Sequence, residues 1–166
     1  MKFAYADPPY IGCAKKYPEK KEVDHAELID KLTTGYPDGW ALSLHTPSLR
    51  YILSLCPTNV RVMAWVKPFA VYKPGVSVAY AWEPVIVRGG RKRTRKQPAV
   101  KDWVSANVMM RTGLIGTKPE AFAEWLYTIF NAQQGDTLDD LFPGTGNMSR
   151  CWERFISERT SLEETK

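Results

Sequence analysis

Phe3-Ala4-Tyr5-Ala6-Asp7-Pro8-Pro9-Tyr10 places an acid, two ring-locked residues and an aromatic directly after a short apolar run. Phe3 to Ala6 has the pattern of a buried strand. In open α/β sheets, ligands bind outside the carboxyl ends of strands. The prolines have fixed φ and no N–H, so they stop the ladder and keep the backbone rigid. Their carbonyls stay available as acceptors. Tyr10 adds a flat face. An anionic acceptor, a carbonyl acceptor and a stacking ring suit an exocyclic amine on a nucleobase. Alone, the string is also a proline turn capped by aspartate.

The remaining composition is that of one globular domain spanning residues 1–166. Hydrophobic residues make up 44% and charged residues 25%, so there is material for a core and no disorder signature. No apolar run is long enough for a transmembrane helix, and no leader is expected ahead of the first strand. Cys13, Cys56 and Cys151 form no CxxC pair, which argues against zinc and against a disulfide framework. Reduced thiols and a cytoplasmic setting are expected.

The net charge of +5 is local. Arg88, Arg91, Lys92, Arg93, Arg95, Lys96 and Lys101 form a basic segment without a single acid. Removing these seven from the 23 Lys and Arg leaves 16 bases against 18 acids. Such a segment attracts phosphate backbones, or is simply a solvated loop. Its glycines and proline, and its lack of apolar periodicity, predict an exposed loop without order of its own.

Strands and helices alternate along the rest. Strands are expected at 3–6, 40–44, 60–66, 84–87 (a short one) and 137–140. A helix is expected over 23–32, with Asp24 and Glu27 spaced as a capping box. Thr46-Pro47 opens a second helix through Leu55. Apolar spacing gives a third at 119–130 and a fourth at 147–156. Lys15–Lys21 and Lys67–Pro74 read as loops, and 103–115 has no clear assignment. His25 is expected on a helix surface, while His45 follows a strand where a pocket could lie. The alternation argues for a mainly parallel sheet.

A second motif, Asp140-Leu141-Phe142-Pro143-Gly144-Thr145-Gly146-Asn147, joins the last strand to the last helix. Glycines allow close backbone approach, and a helix N-terminus offers N–H groups to an anion. A dinucleotide fingerprint would need glycine where Ser149 stands. A short loop behind an acid suits an amino-acid zwitterion instead, with Asp140 on the ammonium. As a bare pattern the loop is equally a plain strand-to-helix turn.

Taken together, DPPY at 7–10 and DLFPGTG at 140–146 resemble the signatures of the S-adenosylmethionine-dependent DNA amino-methyltransferases. Gly116-Thr117-Lys118-Pro119 resembles that family's "KP" segment. Tyr80 to Val87 resembles the strand before its target-recognition insert, and the basic segment falls where that insert would be. The order, with the tetrad first and the glycine loop last, resembles the family's permuted class. The resemblance runs from residue 3 to about 156.

The resemblance implies an α/β, Rossmann-like methyltransferase fold. It implies a site-specific DNA methyltransferase acting on adenine N6 of double-stranded DNA, with the target base flipped out. Asp7, Pro8, Pro9 and Tyr10 would be catalytic: Tyr10 stacks on the base, and Asp7 and the Pro8 carbonyl accept the amine hydrogens. Ala6, Asp7, Thr117, Lys118, Asp140, Phe142, Gly144, Gly146 and Asn147 would bind S-adenosyl-L-methionine, and no metal is needed. The seven basic residues would contact nucleic acid. Methylation of RNA adenine or of cytosine N4, and a catalytically weak nucleic-acid-binding subunit, are the competing readings. The compactness suggests a phage or mobile element, working in a bacterial or phage-infected cell.

The match departs from the family in one place. An acid that holds the cofactor ribose is expected about twenty residues beyond the glycine loop. Ser161 to Lys166 is a polar tail there, with only Glu163 and Glu164 available. One or two edge strands are therefore expected to be missing, with weak cofactor affinity. Strand 137–140 is then expected at the sheet edge, covered by the tail or by a second copy in a homodimer.

Overall fold

The structure, a computed structural model, describes residues 1–14, 21–69, 75–108 and 117–164, with side chains described up to residue 159. The expected loops at Lys15–Lys21 and Lys67–Pro74, the end of the 103–115 stretch, and Gly116 fall wholly or partly outside the described residues. So do the side chains of Glu163 and Glu164.

The described strands are β1 (Lys2–Ala6), β2 (Gly39–Ser43), β3 (Arg61–Val66), β4 (Trp82–Gly89), β5 (Trp103–Ser105) and β6 (Thr137–Asp140). They form one sheet in the order β5-β3-β4-β2-β1-β6. β1 is parallel to β2 and β6, and β3 is parallel to β5, whereas β4 is antiparallel to both its neighbours. Five strands thus run one way, with one reversed strand inside the sheet.

Alternation along the strands assigns each helix to a face. Ala4, Ala6, Trp40, Leu42 and Ile86 point to one side, where they pack on Leu28, Ile29 and Leu32 of α1 (His25–Gly35) and Ile52 of α2 (Leu49–Leu55). Phe3, Tyr5, Val85 and Trp65 point to the other. There they meet α3 (Glu120–Phe130) and α4 (Asn147–Glu164). Phe3 stacks on Phe130 with ring centroids 4.7 Å apart. Arg154 of α4 pairs with Glu120 and Glu124 of α3, binding the two helices along their solvent side.

Several expectations are corrected. β4 is eight residues long, the longest strand, and not a short one. Pro84 does not end it, because the Pro84 carbonyl accepts from Leu44 N at 3.2 Å and so faces β2. The missing N–H faces the same way, beyond the last residue of β2, where no ladder bond is lost. Asp24 caps α1 as expected, accepting from Ala26 N and Glu27 N. His25 is nevertheless buried, and its Nδ1 lies 2.9 Å from Val23 O. A residue in a first helical turn that folds back over its own entry segment is covered without belonging to an apolar stripe. The polar tail is helical: α4 continues to Glu164, through Glu163. β6 is the edge strand, as expected, and is half-buried at Leu138, Asp139 and Asp140.

The basic segment is held in place. Gly89 takes φ +74°, and a Cβ there would come within 2.5 Å of Asp38 O, so the chain can turn out of β4 only at glycine. Arg91 N donates to Phe130 O at 2.9 Å, and its guanidinium bonds both oxygens of the buried Asp136. That guanidinium, the N-terminal amine and the Gln133 N–H overcome the effect of burial and hold the Asp136 carboxyl below the usual range. Arg93 bonds Thr128 O at the end of α3, where a cation also meets the negative end of the helix dipole.

Candidate active site

The acids of the two motifs meet at the carboxyl end of the parallel strands. Asp7 follows the last residue of β1, and Asp140 is the last residue of the adjacent β6. The register pairs Tyr5 with Asp140, which puts the two acids at neighbouring strand ends. α1 leaves β1 over one face, while α3 and α4 flank β6 on the other. The crevice between the strand ends is therefore a topological switch point, the general ligand position of such sheets. His45, just beyond β2, opens onto the same edge. Because β4 runs backwards, its first residues, Trp82 and Glu83, also arrive there.

Around Asp7 the chain builds a charged cluster. The buried Lys118 ammonium lies 2.6 Å from Asp7 Oδ2 and 3.7 Å from Glu83 Oε2. Lys67, at the end of β3, pairs with Glu83 Oε1 at 2.5 Å. Both ammoniums sit over the Trp65 ring, 5.4 and 5.2 Å from its centroid. Tyr10 donates its hydroxyl to Glu83 Oε2 at 2.9 Å. Its ring stacks on His45, with centroids 5.0 Å apart and 10° between planes. His45 Nδ1 lies 2.6 Å from Ser48 Oγ.

The two carboxylates are tuned apart. Burial raises the Asp7 carboxyl above the usual range, against the opposing pull of Lys118. Burial acts on Glu83 as well, but Lys118 and Lys67 outweigh it and hold that carboxyl low. Burial, with Asp7 and Glu83 nearby, keeps Tyr10 firmly in its phenol form. Carboxyls driven in opposite directions at one strand end are a pattern found at functional sites and in structural ion-pair networks alike.

The glycine loop has the geometry of a cradle. Gly144 and Gly146 both take positive φ, +48° and +68°, and a Cβ at Gly144 would meet only Phe142 O at 3.9 Å. Gly146 N bonds Pro143 O, closing the turn into α4. Asn147 Nδ2 donates to Lys118 O at 2.9 Å, tying the loop to the segment that carries the lysine. Asp140 is half-buried and accepts from Phe142 N at 3.3 Å. Among the described residues no cation pairs with it, and burial lifts its carboxyl to about 6.

Of the residues singled out from sequence, Ala6, Asp7, Pro8, Tyr10, Thr117, Lys118, Asp140, Gly144, Gly146 and Asn147 belong to this edge. Pro9 is half-buried, and Phe142 packs with the cluster on the α1 face. The basic residues are elsewhere. Arg88 stands five residues down β4 from Glu83, roughly 17 Å away at strand rise. It bonds Asn59 Oδ1. Arg91 and Arg93 bind the protein itself, and Lys92, Arg95, Lys96 and Lys101 are exposed. Glu83 and Lys67 went unmarked in the sequence reading. A charged residue inside the apolar Trp82–Val87 strand was the available signal, since a buried charge demands a partner.

Six strands in this order, with two helices on each face and the ligand edge at the β1–β6 switch point, constitute the Rossmann-like methyltransferase fold. Two crystal structures share it. M1.HpyAVI in complex with SAM matches over 93% of this chain and 78% of that one, with a TM-score of 0.65 at 15% identity. A second M1.HpyAVI structure matches over 93% and 76%, with a TM-score of 0.59 at 12% identity. No protein-family model and no curated protein sequence matches the chain. Among the described residues no cluster of His, Cys, Asp or Glu is arranged for a metal ion, and no helix is long and apolar enough to cross a membrane.

Proposed function

We propose that this chain transfers a methyl group from S-adenosylmethionine to N6 of adenine in DNA. One observation carries the reading. The lysine-bound Asp7 and the cation-poor Asp140 stand at adjacent strand ends, with the glycine cradle beside them. The shared fold with a protein solved in complex with SAM supports the same cofactor.

The residues fit that cofactor. Asp140 is a half-buried carboxylate awaiting a cation, and the α-ammonium of the cofactor's methionine part supplies one. The open space at Gly144 and the first N–H groups of α4 suit its carboxylate. Thr117 and Lys118 close the side held by Asn147. S-adenosylmethionine supplies an electrophilic methyl on a sulfonium. The chain's own residues then position the nucleophile. Asp7 Oδ1 accepts no hydrogen bond among the described residues and is left to take one hydrogen of the amine, with the Pro8 carbonyl taking the other. The free face of Tyr10 stacks the base. Localising the amine lone pair and aiming it accelerates an in-line displacement through positioning and electrostatics. The exposed Lys92, Arg95, Lys96 and Lys101 follow β4 from the end of the sheet away from Asp7, and would hold phosphates of nucleic acid that extends past the reacting base.

Incubation with methyl-labelled S-adenosylmethionine and DNA or RNA, followed by digestion to nucleosides, tests this directly. Label is expected in N6-methyl-2′-deoxyadenosine from DNA. Label confined to N4-methylcytosine or to RNA would move the substrate assignment, and no labelled base from any polymer would overturn the activity.

The cofactor should also bind with a defined pH dependence. Only ionised Asp140 attracts an ammonium, and its carboxyl protonates near pH 6 in the free protein. Affinity is therefore expected to hold at pH 7.5 and to fall by up to about tenfold per pH unit below that titration. Calorimetry across pH 5 to 7.5 measures it. Asp140→Asn should bind weakly with a flat profile, and a pH-independent wild type would remove Asp140 from the cofactor site.

A further inference from the structure

We propose that Glu83 is a positioning residue of this site, fixing the Tyr10 ring and, through Lys118, the charge and aim of Asp7. The proposal rests on the methyl-transfer reading for its kinetics but not for its electrostatics. Each carboxylate oxygen has its own work. Oε1 takes Lys67, while Oε2 takes the Tyr10 hydroxyl at 2.9 Å and lies 3.7 Å from Lys118. A strand residue therefore gathers three groups from three other parts of the chain.

Tyr10 is held at two points. His45 covers one face of the ring, and Glu83 anchors the hydroxyl. Rotation about the ring axis leaves the hydroxyl in place, but tilting breaks that hydrogen bond. Among the described residues no second ring stacks on the other face, which is left for a base. A stacking ring without its anchor would offer the same area with a wider spread of angles, which hinders a near-attack geometry.

The second role concerns charge. The groups facing Asp7 are Lys118 from the segment before α3, Glu83 from β4, Lys67 from the end of β3, Asp140 from β6, and the phenols Tyr5 and Tyr10. With Asp7 and Glu83 ionised, the two lysines balance them. Glu83 shares Lys118 with Asp7 and so moderates how tightly the ammonium grips the catalytic acid. A lysine committed wholly to Asp7 would compete with the substrate amine for the same oxygens.

Glu83→Gln and Tyr10→Phe, made in the full chain and checked for folding by circular dichroism and thermal unfolding, separate the two roles. Glu83→Gln should lower kcat about tenfold or more with the KM for S-adenosylmethionine within about threefold. Tyr10→Phe should reproduce part of that loss, and the double variant should lose less than the product of the two. In carbon-13 spectra of labelled aspartate, the Asp7 carboxyl should titrate at lower pH in Glu83→Gln than in wild type, and unchanged in sign of shift for Tyr10→Phe. That spectrum needs no activity, so it judges the proposal even in an inactive protein. An active wild type whose Glu83→Gln variant keeps kcat overturns the positioning role. An Asp7 titration that stays put or rises overturns the electrostatic one. A wild type with the predicted spectrum and no methyl transfer sinks the activity and leaves the charge coupling standing.

Discussion

Asp7→Ala is expected to reduce methyl transfer about a thousandfold while the affinity for S-adenosylmethionine changes less than about threefold. The size follows from what the carboxylate does. It is a preorganised acceptor in a water-poor site, aimed where positive charge grows on the amine, and losing one such group costs about two to three orders of magnitude. On the proposed reading the methyl donor would be held by different atoms, chiefly Asp140 and the α4 terminus, so its binding should survive. Folding should survive as well. Burial raises the Asp7 carboxyl above its unfolded value, so ionised Asp7 costs stability above the unfolded pKa, and that cost fades as pH falls through the folded one. Removing the group relieves this cost but leaves the buried Lys118 with Glu83 at 3.7 Å, so some loss of stability is expected and thermal unfolding of the variant measures it. Asp7→Asn is the matching control for shape. Equilibrium binding of the cofactor and single-turnover transfer, measured on the same samples, check both halves. Near-normal turnover in Asp7→Ala would end the assignment of this tetrad as the reacting centre.

Lys118→Met is expected to show the second-largest effect, on stability and on rate together. The ammonium is buried and touches Asp7 at 2.6 Å. Its loss leaves two carboxylates in one pocket with Lys67 as their remaining cation. Removing one partner of a buried ion pair costs about 3 kcal/mol, which for a domain of this size lowers Tm by about 6–12 °C. The sign of the pH dependence distinguishes this from a packing defect. Without Lys118 both carboxyls move up, so the penalty is full at neutral pH and shrinks as acid protonates them. A cavity would cost the same at every pH. Transfer should fall about a hundredfold at pH 7 and fall further toward acid, as the raised Asp7 carboxyl protonates. Thermal unfolding at pH 5 and 8 and a rate profile over the same range provide the measurement. A deficit in stability that does not vary with pH would show that Lys118 serves packing alone.

The sheet and its ligand edge were legible from short patterns. Phe3 and Tyr5 against Ala4 and Ala6 give a strand buried on both faces, and Asp7-Pro8 gives its end. The glycine loop marks a second strand end, and the alternation of elements gives the layers. Strand order was beyond reach, because nothing local in Trp82 to Gly89 says that it inserts backwards between β2 and β3. Pro84 suggested a short strand for the same reason, since its missing donor is harmless only at that depth in the sheet. β5 was invisible: three residues with one half-buried side chain between exposed ones carry no apolar signal. The site shows the same division. Asp7 and Asp140 announced themselves through their neighbours. The pairing of Lys118 with Asp7, across 111 residues, and of Tyr10 with Glu83, across 73, is made by tertiary packing alone.

The position of β1 has a consequence for how the protein is made. Its partners are β2, close behind in sequence, and β6, which pairs Lys2 with Thr137. A ribosome adding 5–20 residues per second therefore leaves one side of β1 without its neighbour for roughly 7–27 s. During that interval the emerging chain carries the tetrad but no glycine loop. On the proposed reading, a fragment released before β6 would keep the tetrad and lack the loop that holds the methyl donor. Such a fragment is expected to transfer no methyl group.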